Sequence, residues 1–337
     1  MAARAALRAR FAATLCQSLE VRLGRRALLS TLGTFALPRV ALAQSKDAPP
    51  PPPADLELRD LRVDGDRALG RRFLLCVPRY VPRGMKLPLL VLLHGLGETI
   101  DETLGVRAWI DRYGLGTSFD RLRRPPAERT WKQRKDFSDE RIAAVNAELM
   151  RGPFEGFAIA CPYTPKATKP GELDAYARWI LEVVVPRARR EVAIFDEPEL
   201  VAIDGCSLGG FVGLEVFLRA PEAFGAWGGV QAAISAATAP SYAERVAKAL
   251  APLARRPSLH VETSTEDVFR PGNERLATDL EQRGVARDLL VLPGWHDQPW
   301  LREAGTLEML LWHDRRFRAA RDAIGARSRA GASGAGR

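Results

Sequence analysis

Short uninterrupted apolar runs alternate with helically spaced stretches through most of the 337-residue chain. βα units leave that alternation in a sequence, and it points to a mainly parallel sheet flanked by helices. Residues 87–93 are apolar without a break, as a strand buried on both faces requires. Residues 72–77 end at Pro78 and residues 157–161 close at Pro162, so both are expected as strands. Further strands are expected over 200–203, 227–230, 258–263 and 288–292. Helices are expected over 173–185, stopping near Pro186, and over 208–218, 242–250, 277–282 and 306–312. No internal repeat interrupts this order. The reading is one α/β domain over residues 55–314.

Composition narrows the class. A hydrophobic share of 46% with 27% charged residues is that of an ordinary globular chain, not a disordered, collagen-like or membrane-bundle protein. The net charge of +9 sits on the two ends, because residues 1–43 and 315–337 each carry +6. Between them, 36 basic residues face 39 acidic ones, so a nucleic-acid-binding body is not indicated. Of four cysteines, Cys16 lies near the start, and Cys76, Cys161 and Cys206 have neither CxxC nor metal-ligand spacing. A disulfide framework is not expected.

The ends read as accessory segments. Arg25-Arg26 precedes an apolar run reaching about Leu37, and Ala41-Leu42-Ala43 offers small residues for cleavage. This resembles a twin-arginine export signal over residues 1–43, and the run is too short to span a bilayer comfortably. No cysteine follows the cut, so no stable membrane anchor is expected. Residues 44–54 hold the five-proline run Pro49 to Pro53, a polyproline spacer. Residues 315–337, rich in Ala, Gly, Ser and Arg, are expected as a basic disordered tail. Residues 98–156 are long for a connection between two strands. They read either as a crossover helix with a surface excursion or as a partial lid.

Chemistry concentrates in Gly205-Cys206-Ser207-Leu208-Gly209, a G-x-S-x-G pentapeptide directly after an apolar strand and directly before a helix. In that context the motif is a sharp strand-to-helix turn that lifts the serine hydroxyl above the sheet. Upstream, His94-Gly95-Leu96-Gly97 follows the 87–93 strand. A backbone N–H of this glycine-rich turn, together with that of Leu208, is expected to form an oxyanion hole, and His94 is expected to hold its turn by hydrogen bonds. A serine needs a base, and only four histidines exist. His260 falls inside a strand and His313 inside a helix. His296, in Pro293-Gly294-Trp295-His296-Asp297 just past the last strand, has the position from which an imidazole reaches a crevice. The orienting acid is expected at Asp267, with Glu266 as its competitor. Cys206 reads as a small buried filler and Asp297 as a loop cap. Trp295 and Trp300 flank the base and either pack on the last helix or shape an aromatic-accepting pocket.

The order Ser207, Asp267, His296, together with 72–78, 87–97, Val185-Pro186, 205–210, Ala220-Pro221-Glu222-Ala223-Phe224 and 293–297, resembles the α/β-hydrolases. The likeness is to the putative-esterase group that holds esterase D-like, feruloyl-esterase-like and polyhydroxyalkanoate-depolymerase-like enzymes. The resemblance implies an α/β-hydrolase fold, Ser207 as nucleophile, Asp267 as acid, His296 as base and an oxyanion N–H from Leu96. It implies a serine esterase acting on a small-molecule or polymer-linked ester through an acyl-enzyme, and the leader adds the expectation of export. A prolyl-oligopeptidase-like peptidase, an acyltransferase and a catalytically silent binding module are the alternatives. No cofactor is implied, since the chain has no H-E-x-x-H, P-loop or dinucleotide fingerprint.

Overall fold

A computed structural model describes residues 53–131 and 133–334. The leader and most of the spacer expected from the sequence lie outside the described residues.

Eight strands form one sheet in the order β1-β2-β4-β3-β5-β6-β7-β8. Here β1 is Leu56–Arg62, β2 Arg72–Pro78, β3 Leu89–Leu93, β4 Ala158–Pro162, β5 Val201–Gly205, β6 Ala226–Val230, β7 Ser258–Glu266 and β8 Asp288–Trp295. The β1–β2 and β2–β4 pairings are antiparallel, and every pairing from β4 through β3 to β8 is parallel. All residues of β3, β4, β5 and β6 are buried, as expected of strands covered on both faces, and Asp204 of β5 is the one charged residue among them. This is the α/β-hydrolase fold.

Several expectations need correction. Strand β1 was not anticipated, because its sequence Leu-Glu-Leu-Arg-Asp-Leu-Arg carries charges throughout; it is an edge strand whose Asp60 pairs with Arg72 of β2. Strands β7 and β8 run past the expected ends, so Asp267 and His296 each stand one residue beyond a strand. Pro186 does not stop its helix. Helix Pro170–Trp179 widens into a π-turn at Ile180–Val184 and continues as Val185–Glu191. A proline lacks an N–H and crowds the carbonyl four residues back, and a widened turn absorbs both demands.

The basic tail is helical, not disordered: one helix runs from Thr306 to Gly334. Alanine and arginine favour helix, and Phe317, Ala320 and Ile324 fall on one stripe against the core. Arg315, Arg321 and Arg327 reach Glu148, Glu155 and Glu199. Residues 335–337 lie outside the described residues.

The 98–156 segment supplies three helices, Glu102–Asp111, Leu115–Arg123 and Asp139–Arg151. Trp109, Phe119 and Phe137 are buried among Trp300, Leu307 and Leu310, so much of the segment is domain core. Its non-helical stretch lies against the chain after His296. The Glu303 carboxylate accepts the N–H groups of Thr130 and Trp131, and Arg134 reaches Asp297 at 3.3 Å.

Candidate active site

The carboxyl ends of β5, β7 and β8 bring three side chains together. Ser207 joins β5 to helix Leu208–Arg219 with φ 53° and ψ −115°, outside the regions ordinary residues prefer. Such a conformation costs about 1–3 kcal/mol, which the surroundings must offset. Its N–H donates to Val230 O at 3.0 Å, and its carbonyl accepts from Ala233 at 2.9 Å, so the turn is held from both sides. Glycine is needed on either flank. A Cβ on Gly209 would stand 2.3 Å from Leu93 O, and one on Gly205 would stand 2.5 Å from the Gly209 carbonyl carbon. The G-x-S-x-G spacing is therefore the condition for bending this backbone so close to β3.

His296 Nε2 lies 3.1 Å from Ser207 Oγ, and His296 Nδ1 lies 2.7 Å from Asp267 Oδ1. Asp267 also accepts the Phe269 N–H at 2.9 Å and the Thr263 hydroxyl at 2.7 Å, and its side chain is fully buried. A carboxylate so placed accepts from Nδ1–H, which leaves the Nε2 lone pair facing the serine hydroxyl. The Phe269 ring meets the imidazole edge-on at 5.5 Å and limits its rotation. Of the two competing acids, Asp267 reaches the imidazole, while Glu266 is exposed and pairs in register with Trp295. A register shift between Ser264 and Glu266 sets which of the two turns inward.

The two expected oxyanion donors begin helical turns. Leu96 opens the 3₁₀ turn Leu96–Glu98 and Leu208 is the first residue of its helix. Neither N–H has an acceptor among the described residues. Such orphan donors at helix starts are suited to developing negative charge. His94 holds the first of them. Its Nε2 accepts the Thr164 N–H at 2.8 Å, so Nδ1 carries the proton and donates to Gly95 O at 2.9 Å. Because a trans peptide points its N–H opposite its carbonyl, fixing Gly95 O fixes the Leu96 N–H. Burial holds the His94 imidazole down to about 4.

The other two histidines serve the interior. His260 stacks on Trp312 at 4.7 Å, and burial pushes it well below the usual range. His313 Nε2 meets Asp204 Oδ2 at 2.8 Å beneath the serine turn, and burial raises the Asp204 carboxyl. Cys206 is buried, and burial pushes its thiol up. Asp297 caps a helical turn by accepting the Trp300 N–H at 2.9 Å. Trp300 is fully buried with its indole N–H on Pro293 O, whereas Trp295 is 41% exposed beside His296.

Gln231 stands one residue past β6. With φ 50°, it donates from Nε2 to Ser264 Oγ at 2.6 Å and Trp295 O at 3.1 Å, tying the ends of β7 and β8 together next to the acid and the imidazole. Its only sequence signal is its place at the end of an apolar strand. Glu98 and Tyr113, hydrogen-bonded to each other below the Gly95 turn, have no such signal. Among the described residues no cluster of three or more His, Cys, Asp or Glu is arranged to hold a metal ion, and no helix is long and apolar enough to cross a membrane.

The class of fold is shared with many solved structures. No family model and no curated protein matches the chain by sequence. A ferulic acid esterase structure matches with a TM-score of 0.57 and 17% identity, covering 78% of this chain and 98% of that one. An S-formylglutathione hydrolase from Staphylococcus aureus gives 0.51 and 16%, covering 80% and 100%. A fluorophosphonate-binding serine hydrolase of the same organism gives 0.52 and 14%, covering 77% and 98%.

Proposed function

We propose that this protein is a serine esterase that cleaves carboxylic esters through a covalent acyl-enzyme. The observation that carries the reading is the continuous hydrogen-bonded chain from Ser207 Oγ through His296 to Asp267 on a strained turn. His296 Nε2 takes the serine proton as Oγ attacks the ester carbonyl, and Asp267 steadies the imidazolium that forms. The carbonyl oxygen becomes negative and rests on the N–H groups of Leu96 and Leu208; losing one such donor typically costs roughly 3–4 kcal/mol of barrier. The imidazolium then protonates the departing alcohol. Water, deprotonated by the same imidazole, releases the acid and restores Ser207.

The names of the matched structures, a ferulic acid esterase and an S-formylglutathione hydrolase, support ester chemistry on this fold. The side chains of Val268 and Trp295, next in sequence to the acid and the base, are exposed, and we propose that they form an apolar rim at the reaction centre. A small-molecule or polymer-linked ester with an apolar acyl or alcohol group suits that rim. Residues 1–43 are proposed to direct export through Arg25-Arg26, which N-terminal sequencing of the exported protein tests.

A panel of esters of graded acyl length and aromaticity, with one peptide amide and one acceptor alcohol, tests the activity. Ester cleavage with negligible amide cleavage and release of free acid supports the proposal. Preferred cleavage of the peptide, or transfer of most acyl groups to the alcohol, replaces it with the peptidase or acyltransferase reading. No turnover of any substrate makes the protein a silent module.

A further inference from the structure

Beneath the Gly95 turn lies a buried acid that the mechanism above does not use. Glu98 is 2% exposed and sits where three stretches of chain meet. Its Oε2 accepts the Tyr113 hydroxyl, and its Oε1 accepts Gln298 Nε2 at 3.1 Å and lies 3.7 Å from the Arg112 guanidinium. The Tyr113 oxygen in turn accepts the Gly95 N–H at 3.3 Å. A Cβ built on Gly95 would stand 3.1 Å from that oxygen and 3.7 Å from Glu98 Oε2, so phenol and carboxylate support the underside of the turn. Gln298 lies two residues past His296, on the helical turn that Asp297 caps.

We infer that Glu98 is a positioning residue that sets the turn bearing the Leu96 N–H in register with the segment bearing His296. The inference deepens the esterase reading and rests on it. One carboxylate oxygen is committed to each side, so the side chain acts as a strut between the proposed oxyanion donor and the proposed base. His94 fixes the peptide carrying the Leu96 N–H, and Tyr113 fixes the peptide before it. The pair leaves that turn little freedom, and Glu98 transmits its position to the base. A donor displaced by a fraction of an ångström from the developing oxyanion loses much of its value in the transition state and little in the ground state. Burial raises the Glu98 carboxyl, and the Tyr113, Arg112 and Gln298 contacts oppose that rise.

The test measures kcat and KM on an activated ester for Glu98→Ala, Glu98→Gln, Tyr113→Phe, Gln298→Ala and the Glu98→Ala/Tyr113→Phe pair. Active sites are counted by fluorophosphonate titration so that misfolded protein is excluded. Glu98→Ala and Tyr113→Phe should each lower kcat about tenfold to a hundredfold with KM within about threefold. The double variant should be no worse than about twofold below the poorer single, since both break one chain of contacts. Glu98→Gln should recover most of the loss, because an amide oxygen still accepts from Tyr113 and the amide N–H still meets Gln298 after that amide turns over. Gln298 is only partly buried, so Gln298→Ala keeps the fold even if Glu98→Ala does not, and it should cost about threefold to tenfold in kcat. Per-site kcat within twofold of the parent in Gln298→Ala and Tyr113→Phe overturns the inference, as does a rise in KM at constant kcat. Ser207→Ala is run beside them: if it retains turnover, the esterase reading itself has failed, and that result is distinct from these.

Discussion

Two imidazole–carboxylate pairs stand near the serine turn, and they differ in what surrounds them. His296 and Asp267 meet at 2.7 Å with the imidazole side chain 26% exposed, while His313 and Asp204 meet at 2.8 Å with both side chains at 0%. In the first pair the carboxylate binds Nδ1 and leaves Nε2 to face Ser207. In the second it binds Nε2, and His313 Nδ1 has no hydrogen-bond partner among the described residues. The same two residue types at nearly the same distance thus give a relay in one place and an internal brace in the other. Access and the identity of the third group decide the difference, not the pair itself.

Removing the third group should have the largest effect. Ser207→Ala is expected to lower ester turnover by roughly a thousandfold or more, measured as kcat/KM against the parent. The same comparison on the histidines should separate the pairs. His296→Ala should approach the serine variant in activity at nearly unchanged Tm. His313→Ala should lose about 3–5 kcal/mol of stability by leaving Asp204 Oδ2 buried without its partner, with turnover per folded molecule within a few-fold of the parent. Equal losses of turnover in both would erase the distinction.

The acids sharpen it further. Asp267→Asn is expected to reduce kcat by about a hundredfold to ten-thousandfold, and Glu266→Gln by less than about twofold. The reverse ranking would move the orienting role to Glu266.

A pH experiment isolates the third internal imidazole. Folding holds His94 near 4 against an ordinary 6.5, so the unfolded chain binds the proton first as pH falls. Stability from keeping His94 neutral is complete above about 6.5 and drains away toward 4, by roughly 3 kcal/mol. The stability gap between the parent and His94→Gln, followed by urea melts, should therefore shrink between pH 7 and pH 4. Asp314, which burial raises to about 6, pulls the other way, but it is common to both proteins and cancels in the difference. A gap constant with pH would contradict the assignment of His94 as a neutral strut.

The unequal legibility of these residues has physical reasons. Ser207 was readable because its turn demands glycine at 205 and 209, a local requirement written into five consecutive residues. His296 followed from a short supply of histidines and from its place after the last strand. Asp267 and Glu266 remained in competition because a bulge in the β7–β8 ladder, which depends on pairing between distant segments, chooses between them. Glu98, Tyr113 and Gln298 left no signal, since each is an ordinary polar residue until packing brings positions 98, 113 and 298 together. The terminal helix is poorly legible because its Ala-, Gly-, Ser- and Arg-rich composition masks a sparse apolar stripe of Phe317, Ala320 and Ile324. Strand β1 was hidden by charges that an edge strand tolerates on its open side.

The most direct measurement is mass spectrometry of the protein after reaction with a serine-directed fluorophosphonate, with peptide mapping of the adduct. The account predicts one adduct per chain on the peptide holding Ser207, lost or strongly slowed in His296→Ala and retained in His313→Ala. An unreactive parent protein, an adduct on another serine, or equal labelling of both histidine variants would contradict it.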